Sequence, residues 1–201
     1  MIRPPKYKVC RQLGERIYAK CQTPKFSGKV QKKGTVGGKK FGGKSDFGAQ
    51  LLEKQRMRLT YGLNERQFSN LVKTARQEGV SATVRLYQML ESRLDNVLFR
   101  MGLSPSRAAG RQMVSHGHVF VNGKRLNIPS YQVGTGDLIS IRKESASKPL
   151  FSNLGEFLKE HQAPEWLKLD KNKLEAEVTK PPALDFTLSP RLSSILEFYS
   201  R

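Results

Sequence analysis

The stretch Ser92–Tyr131, SRLDNVLFRMGLSPSRAAGRQMVSHGHVFVNGKRLNIPSY, holds the residues best suited to chemistry in this chain. Arg107 and Arg111 are four apart, so on a helix they stack one turn apart on one face. Arg93 and Arg100 are seven apart with Asn96 between them, on the face opposite an apolar stripe. Lys124 follows directly on an Asn122-Gly123 pair. The arginine fork makes two parallel hydrogen bonds to a single phosphate. Ser104, followed by Pro105 at a first helical position, marks a helix start whose N–H groups suit an anion. Taken singly, each cation is an ordinary solvated charge. Arg93, Arg107, Arg111 and Lys124 converging on one compact module point instead to a polyanion. Ser92, Gln112, His116, His118 and Asn122 flank them and complete the candidate contacts of this module. His116 and His118 have the spacing of weak metal ligands, but no acid or thiol stands near, so they are read as packing or RNA-bonding groups.

The elements that must position these residues are legible from periodicity. Leu94, Val97, Leu98 and Met101 form a buried stripe, and Gly102 ends that helix. Met113 and Val114 turn inward from the next. Val119 and Val121 alternate with His118, Phe120 and Asn122, as in a half-buried strand. Asn122-Gly123 suits a type I′ hairpin turn, which needs positive φ at both positions. A turn over Gly134–Asp137 and a strand over Leu138–Ile141 close a small sheet. The expected fold class is therefore α+β: a basic extended N-terminal arm, a small helical bundle, and an inserted helix–helix–β-hairpin module.

Upstream, a short helix is expected around Arg11–Lys20. Ser45 or Asp46 caps a helix running to about Thr60, stopped by Gly62. On it Lys54 and Arg58 share a face at i, i+4 and are candidate RNA contacts. Asn64 and Gln67 have the spacing of a capping box. Phe68, Leu71, Val72 and Ala75 form a core stripe that Gly79 ends. A third helical run from Ala82 carries Leu86 and Leu90 inward. The expected division is 1–44 arm, 45–90 helical domain, 91–143 module, and 144–201 a tail that packs back on the helical domain.

Charge sharpens the functional class. The chain has 201 residues and a formal net charge of +19. Residues 1–90 carry 20 Lys/Arg against 5 Asp/Glu, residues 91–143 carry 8 against 3, and residues 144–201 carry 8 against 9. A polyanion therefore meets the first two thirds of the chain. Residues 25–44 hold seven lysines, six glycines and no acid. Such a stretch is expected to order only against phosphates, and it includes Lys39, Lys40 and Lys44. The basic residues do not oppose a Trp/Phe/Leu-rich face, which argues against a membrane surface. No run of 18 apolar residues exists. The start MIRPPKYKVC lacks an apolar secretory core, so a cytoplasmic protein is expected, with an organellar one reading the same. Cys10 and Cys21 are expected to be reduced thiols, with too few ligands for zinc. Neither a cofactor nor a homo-oligomer is required.

Ser92–Tyr131, extended to Ile141, resembles the small RNA-binding domain named after bacterial small-subunit ribosomal protein four. That domain occurs also in pseudouridine synthases, a tyrosyl-tRNA synthetase and a heat-shock RNA binder. The flanks separate these. CRQLGERIY at Cys10–Tyr18, SDFGAQLLEKQRMRLTYGLNERQF at Ser45–Phe68, PEWL at Pro164–Leu167 and ILEFYSR at Ile195–Arg201 resemble the ribosomal protein family itself. The resemblance implies a primary binder of small-subunit ribosomal RNA that holds a helix junction in the 5′ domain and nucleates subunit assembly. It also implies contact with small-subunit ribosomal protein five, and a position near incoming mRNA that influences decoding accuracy, with Lys39, Lys40 and Lys44 close to that path. Some members bind zinc through four N-terminal cysteines; here only Cys10 and Cys21 stand.

Two other readings compete. An RNA-modifying enzyme would use the same module to dock, but needs a large catalytic domain, and no nucleophile–base pair is evident. A free RNA chaperone would need only the basic module. The expectation is a protein that is not an enzyme.

Overall fold

A computed structural model describes residues 5–23, 45–77, 81–146, 158, 161–184 and 189–200. The lysine- and glycine-rich arm at 25–44, with Lys39, Lys40 and Lys44, lies outside the described residues, as does Gly79. The architecture is α+β. The chain divides into two compact units, Met1–Lys73 with Thr187–Arg201, and Thr74–Phe186.

In the first unit, α1 spans Lys6–Leu13 and ends at Gly14, whose φ of 71° is left-handed. The helix expected at Arg11–Lys20 is thus displaced toward the N-terminus, because glycine at 14 favours a left-handed stop over continuation. A 3-10 turn over Ala19–Cys21 folds back so that Cys10 and Cys21, both free thiols, are buried together against Ile17 and Tyr18. Burial, with the Cys10 thiol beside it, pushes the Cys21 thiol up to about 11.

Helix α2 spans Asp46–Thr60, and Ser45 Oγ accepts its cap bond from Gly48 N–H at 3.2 Å. Helix α3, Glu65–Gln77, starts with a reciprocal pair: Gln67 N–H donates to Asn64 Oδ1 at 2.7 Å, and Asn64 N–H donates to Gln67 Oε1 at 3.2 Å. This is the capping box expected from the spacing. Helix α4 covers Ala82–Glu91, α5 Leu94–Arg100, α6 Arg107–Ser115 and α7 Lys143–Ala146. Helix α8, Ser189–Phe198, packs on α2. No helix among the described residues is long and apolar enough to cross a membrane.

The second unit is built on one antiparallel sheet of order β2-β1-β3-β5-β4. Its strands are β1 Val119–Val121, β2 Lys124–Leu126, β3 Leu138–Ile141, β4 Leu167–Asp170 and β5 Glu175–Val178. Val121 pairs with Lys124 across a two-residue turn, where Asn122 and Gly123 have φ of 52° and 74°. Leu94, Val97, Leu98 and Met101 on α5 and Met113 and Val114 on α6 share one core with Val119, Ile139, Ala176 and Val178 of the sheet.

Two expected boundaries differ from the compact units. The break falls at 73/74 rather than 90/91, so α4, with its buried Leu86 and Leu90, falls in the same unit as α5, which it contacts. The tail divides as well. Residues 161–184 belong to the second unit, where Leu167, Ala176 and Val178 complete the apolar side of the sheet, while α8 belongs to the first. Strand pairing across such sequence distance has no local signature, so the pattern of the tail by itself did not reveal it.

Candidate nucleic-acid interface

Helix α5 has no side-chain cap. Its first N–H groups are instead taken by the chain after the hairpin: Leu94 N–H donates to Tyr131 O at 2.9 Å and Asp95 N–H to Pro129 O at 3.1 Å. Helix α6 lies close against α5, since a Cβ on Gly110 would fall 2.7 Å from Asp95 O. Glycine here lets the two helices share one wall of basic side chains.

Two buried acids organise that wall. Asp95, 1% exposed, receives Arg93 Nε at 3.1 Å and Arg93 Nη2 at 3.0 Å, and receives Arg111 Nε at 2.8 Å and Nη2 at 2.6 Å. Glu91, fully buried, accepts from Arg100 Nε at 2.7 Å and Nη2 at 2.8 Å. Asn96 Nδ2 donates to Glu91 Oε2 at 3.0 Å and to Glu91 O at 2.8 Å. Asn96 Oδ1 then accepts from Arg107 Nε at 2.6 Å, and the Arg107 guanidinium sits 4.6 Å over the Phe99 ring. Removing two carboxylates from water is costly unless each meets a cation with good geometry, and both do. The side chains of Arg100 and Arg111 keep 33% and 28% of their surface in solvent. The wall is therefore cationic outward and acid-anchored inward, an arrangement suited to phosphate.

The candidate residues sort by placement. Arg107 and Arg111 are brought together, half-buried, on the α6 flank. Arg93 is corrected: at 4% exposure it is a buried partner of Asp95 and not an outward cation. Asn96, expected on that outward face, is buried too. Ser104 is corrected as the cap. It is buried, its hydroxyl donates to Ser106 O at 3.1 Å, and Ser106 Oγ caps α6 by accepting from Ala109 N–H at 3.2 Å. Pro105 sets a turn before the helix, so α6 begins two residues later than the proline signal implies. Ser92 caps the end of α4, and its carbonyl accepts from Val133 N–H at 2.9 Å. Gln112 and His116 are exposed; His118 is half-buried with Nδ1 2.9 Å from Ser145 Oγ. Asn122 braces the hairpin, its Nδ2 donating to Asp137 Oδ1 at 2.8 Å and its Oδ1 accepting from Leu138 N–H at 2.9 Å. Lys124 and Arg125 are exposed on β2.

Lys54 and Arg58 lie in the other unit and do not form one outward pair. Lys54 is buried, 2.8 Å from Glu65 Oε1 and 4.6 Å from the Phe198 ring centroid, so its expected RNA contact is corrected to an internal tie. Arg58 is half-buried, donating to Gln55 Oε1 at 3.1 and 2.6 Å. Tyr199 Oη donates to Glu65 Oε1 at 2.7 Å. Burial alone would raise the Glu65 carboxyl. Hydrogen bonds from Lys54 and Tyr199 and the charges of Lys54 and Arg58 outweigh it and hold the group below the ordinary carboxylate range. Burial, with Glu65 beside it, pushes the Tyr199 phenol well above its ordinary value.

The candidate set omitted Arg100, Arg125, Glu91 and Asp95. One signal was present: Glu91 and Asp95 are the two acids in residues 91–125, against six basic residues. An isolated acid in a basic module is a natural internal anchor. Among the described residues no group of three or more His, Cys, Asp or Glu side chains could hold a metal ion.

Comparison with known proteins adds the decisive observation. Residues 92–139 match the family described as the S4 domain, and residues 2–91 match the ribosomal protein S4/S9 N-terminal domain. The chain belongs to the uS4 family of small ribosomal subunit proteins. It is 40% identical to small ribosomal subunit protein uS4 of Acetivibrio thermocellus over 96% of each chain. It is 38% identical to that of Thermus thermophilus over 98% of this chain and 97% of the relative. Against uS4 of Roseiflexus sp. the figure is 44% over 78% of each. The S4 domain of this uS4-family chain spans α5, α6 and the hairpin, the segment that carries the acid-anchored arginines.

Proposed function

We propose that the chain is a structural component of the small ribosomal subunit that binds its ribosomal RNA directly, as a primary binder of the 5′ domain. The observation that carries this reading is the wall of Arg100, Arg107 and Arg111, held by Glu91, Asn96 and Asp95, inside the S4 domain. Preset guanidinium groups meet backbone phosphates without first losing side-chain freedom. Early binding to a helix junction would nucleate subunit assembly. Lys124 on the hairpin, with Gln112, His116 and His118, extends the same RNA surface. Membership of the uS4 family supports extending the reading to a contact with small-subunit ribosomal protein five and to a part in decoding accuracy, with Lys39, Lys40 and Lys44 as the residues proposed near incoming mRNA. The protein works as a scaffold rather than an enzyme, within the ribosome.

The test is binding of full-length Arg107→Ala and Arg111→Ala to a transcript of the 5′ domain. Each is expected to weaken binding by about 1–3 kcal/mol. Wild-type affinity in both variants would contradict the reading.

A further inference from the structure

Glu91 sits at the end of α4, before the S4 domain begins at residue 92. We propose that Glu91 is a positioning residue for RNA recognition: its buried carboxylate sets Arg100 directly and Arg107 through the Asn96 amide. The proposal rests on the RNA-binding reading above and deepens it.

The amide of Asn96 links Glu91 to Arg107. An amide presents a donor end and an acceptor end, and a buried one must satisfy both. Glu91 supplies two acceptors on one side, its backbone carbonyl at 2.8 Å and its Oε2 at 3.0 Å, and both take Asn96 Nδ2. The Oδ1 end is thereby forced to face the other way, where it accepts from Arg107 Nε at 2.6 Å. Were the carboxylate lost, the Glu91 carbonyl alone would hold the Nδ2 end, and the amide would aim Oδ1 at Arg107 less firmly. The Phe99 ring beneath the guanidinium, 4.6 Å away, fixes the plane that Asn96 aims. On its other flank Glu91 grips Arg100 through both carboxylate oxygens. One buried negative charge thus aims two positive groups at solvent.

The consequence has an unusual sign. Binding of a polyanion by a protein of net charge +19 should tighten when one more negative charge is removed. If Glu91 positions the arginines, Glu91→Gln weakens binding instead.

The experiment measures affinity of the full-length protein for the 5′-domain transcript across a salt series, in Glu91→Gln, Asn96→Ser and Arg107→Ala. It also follows the Arg107 Nε–H resonance in the free proteins. We expect Glu91→Gln to bind about fivefold more weakly with a shallower salt slope and to lose the sharp, protected Arg107 Nε–H signal. Asn96→Ser leaves the Glu91–Arg100 pair in place and removes the acceptor of Arg107. It should also weaken binding, at unchanged net charge, and it keeps the test open if Glu91→Gln does not fold. Glu91→Gln or Asn96→Ser binding as tightly as wild type or tighter, while Arg107→Ala is weakened, overturns the positioning role and leaves the RNA-binding reading standing. Wild-type binding by Arg107→Ala overturns the positioning role as well, and joined by wild-type binding of Arg111→Ala it overturns that reading itself.

Discussion

Arg125 lies over Gly117: a Cβ at 117 would fall 2.2 Å from Arg125 Nε and 2.3 Å from its Nη2. Gly117 has a φ of 71°, a conformation that side chains disfavour. It follows α6 and leads the chain into β1, so the residue that makes this turn also seats the Arg125 guanidinium. Gly117→Ala should cost about 1–2 kcal/mol in stability from the strained backbone. It should also displace the guanidinium and weaken RNA binding. Gly123→Ala is the control, since its φ is 74° and nothing lies within 4 Å of its added methyl. Urea denaturation together with RNA binding should show both variants destabilised and only Gly117→Ala impaired in affinity beyond its folded fraction. Equal affinities would contradict a seated Arg125.

Arg93 and Arg111 share the carboxylate of Asp95 but should behave differently. Arg93 is 4% exposed, while the Arg111 side chain keeps 28% of its surface in solvent. Arg93→Ala removes two buried charge-assisted bonds and should destabilise the fold by about 2–3 kcal/mol. Arg111→Ala should cost less stability and more affinity. Thermal melts and RNA binding on the two variants test this crossing. A larger loss of stability in Arg111→Ala than in Arg93→Ala would contradict it.

The Glu65–Tyr199 bond gives the first unit a pH signature. The Glu65 carboxyl is held below its ordinary range when folded. Its contribution is therefore complete above that range and is lost as pH falls below about 4 toward the lowered value. Tyr199 is raised when folded, so its contribution is complete below about pH 10 and is lost as pH rises beyond. Tyr199→Phe should flatten the alkaline loss and shrink the acid one, because Lys54 still holds Glu65. Denaturant midpoints across the pH range give the result, and profiles of identical shape in the two proteins would count against the linkage.

Local rules carried much of this fold. The Asn64–Gln67 box, the two positive φ values at Asn122 and Gly123, and the stripe of Leu94, Val97, Leu98 and Met101 each follow from spacing a few residues long. The site was legible in its class and less so in its detail. Periodicity sorts apolar from polar positions, and it assigned Arg93 and Asn96 to an outward face. A charged group is buried only when tertiary structure brings it a partner, and here Asp95 and Glu91 are those partners. Lys54 shows the same limit, since Phe198 and Tyr199 reach it from the far end of the chain. The joining of β4 and β5 to the sheet is equally non-local.

Specific binding of small-subunit ribosomal RNA is expected to run through phosphate contacts on a preset arginine wall. The measurement that meets it most directly is a salt titration of full-length protein on a 5′-domain transcript, with an unrelated structured RNA as competitor. Tight binding that survives the competitor is expected, with log K falling steeply and linearly against log salt. Equal affinity for both RNAs would contradict it and leave only a general basic RNA-binding module.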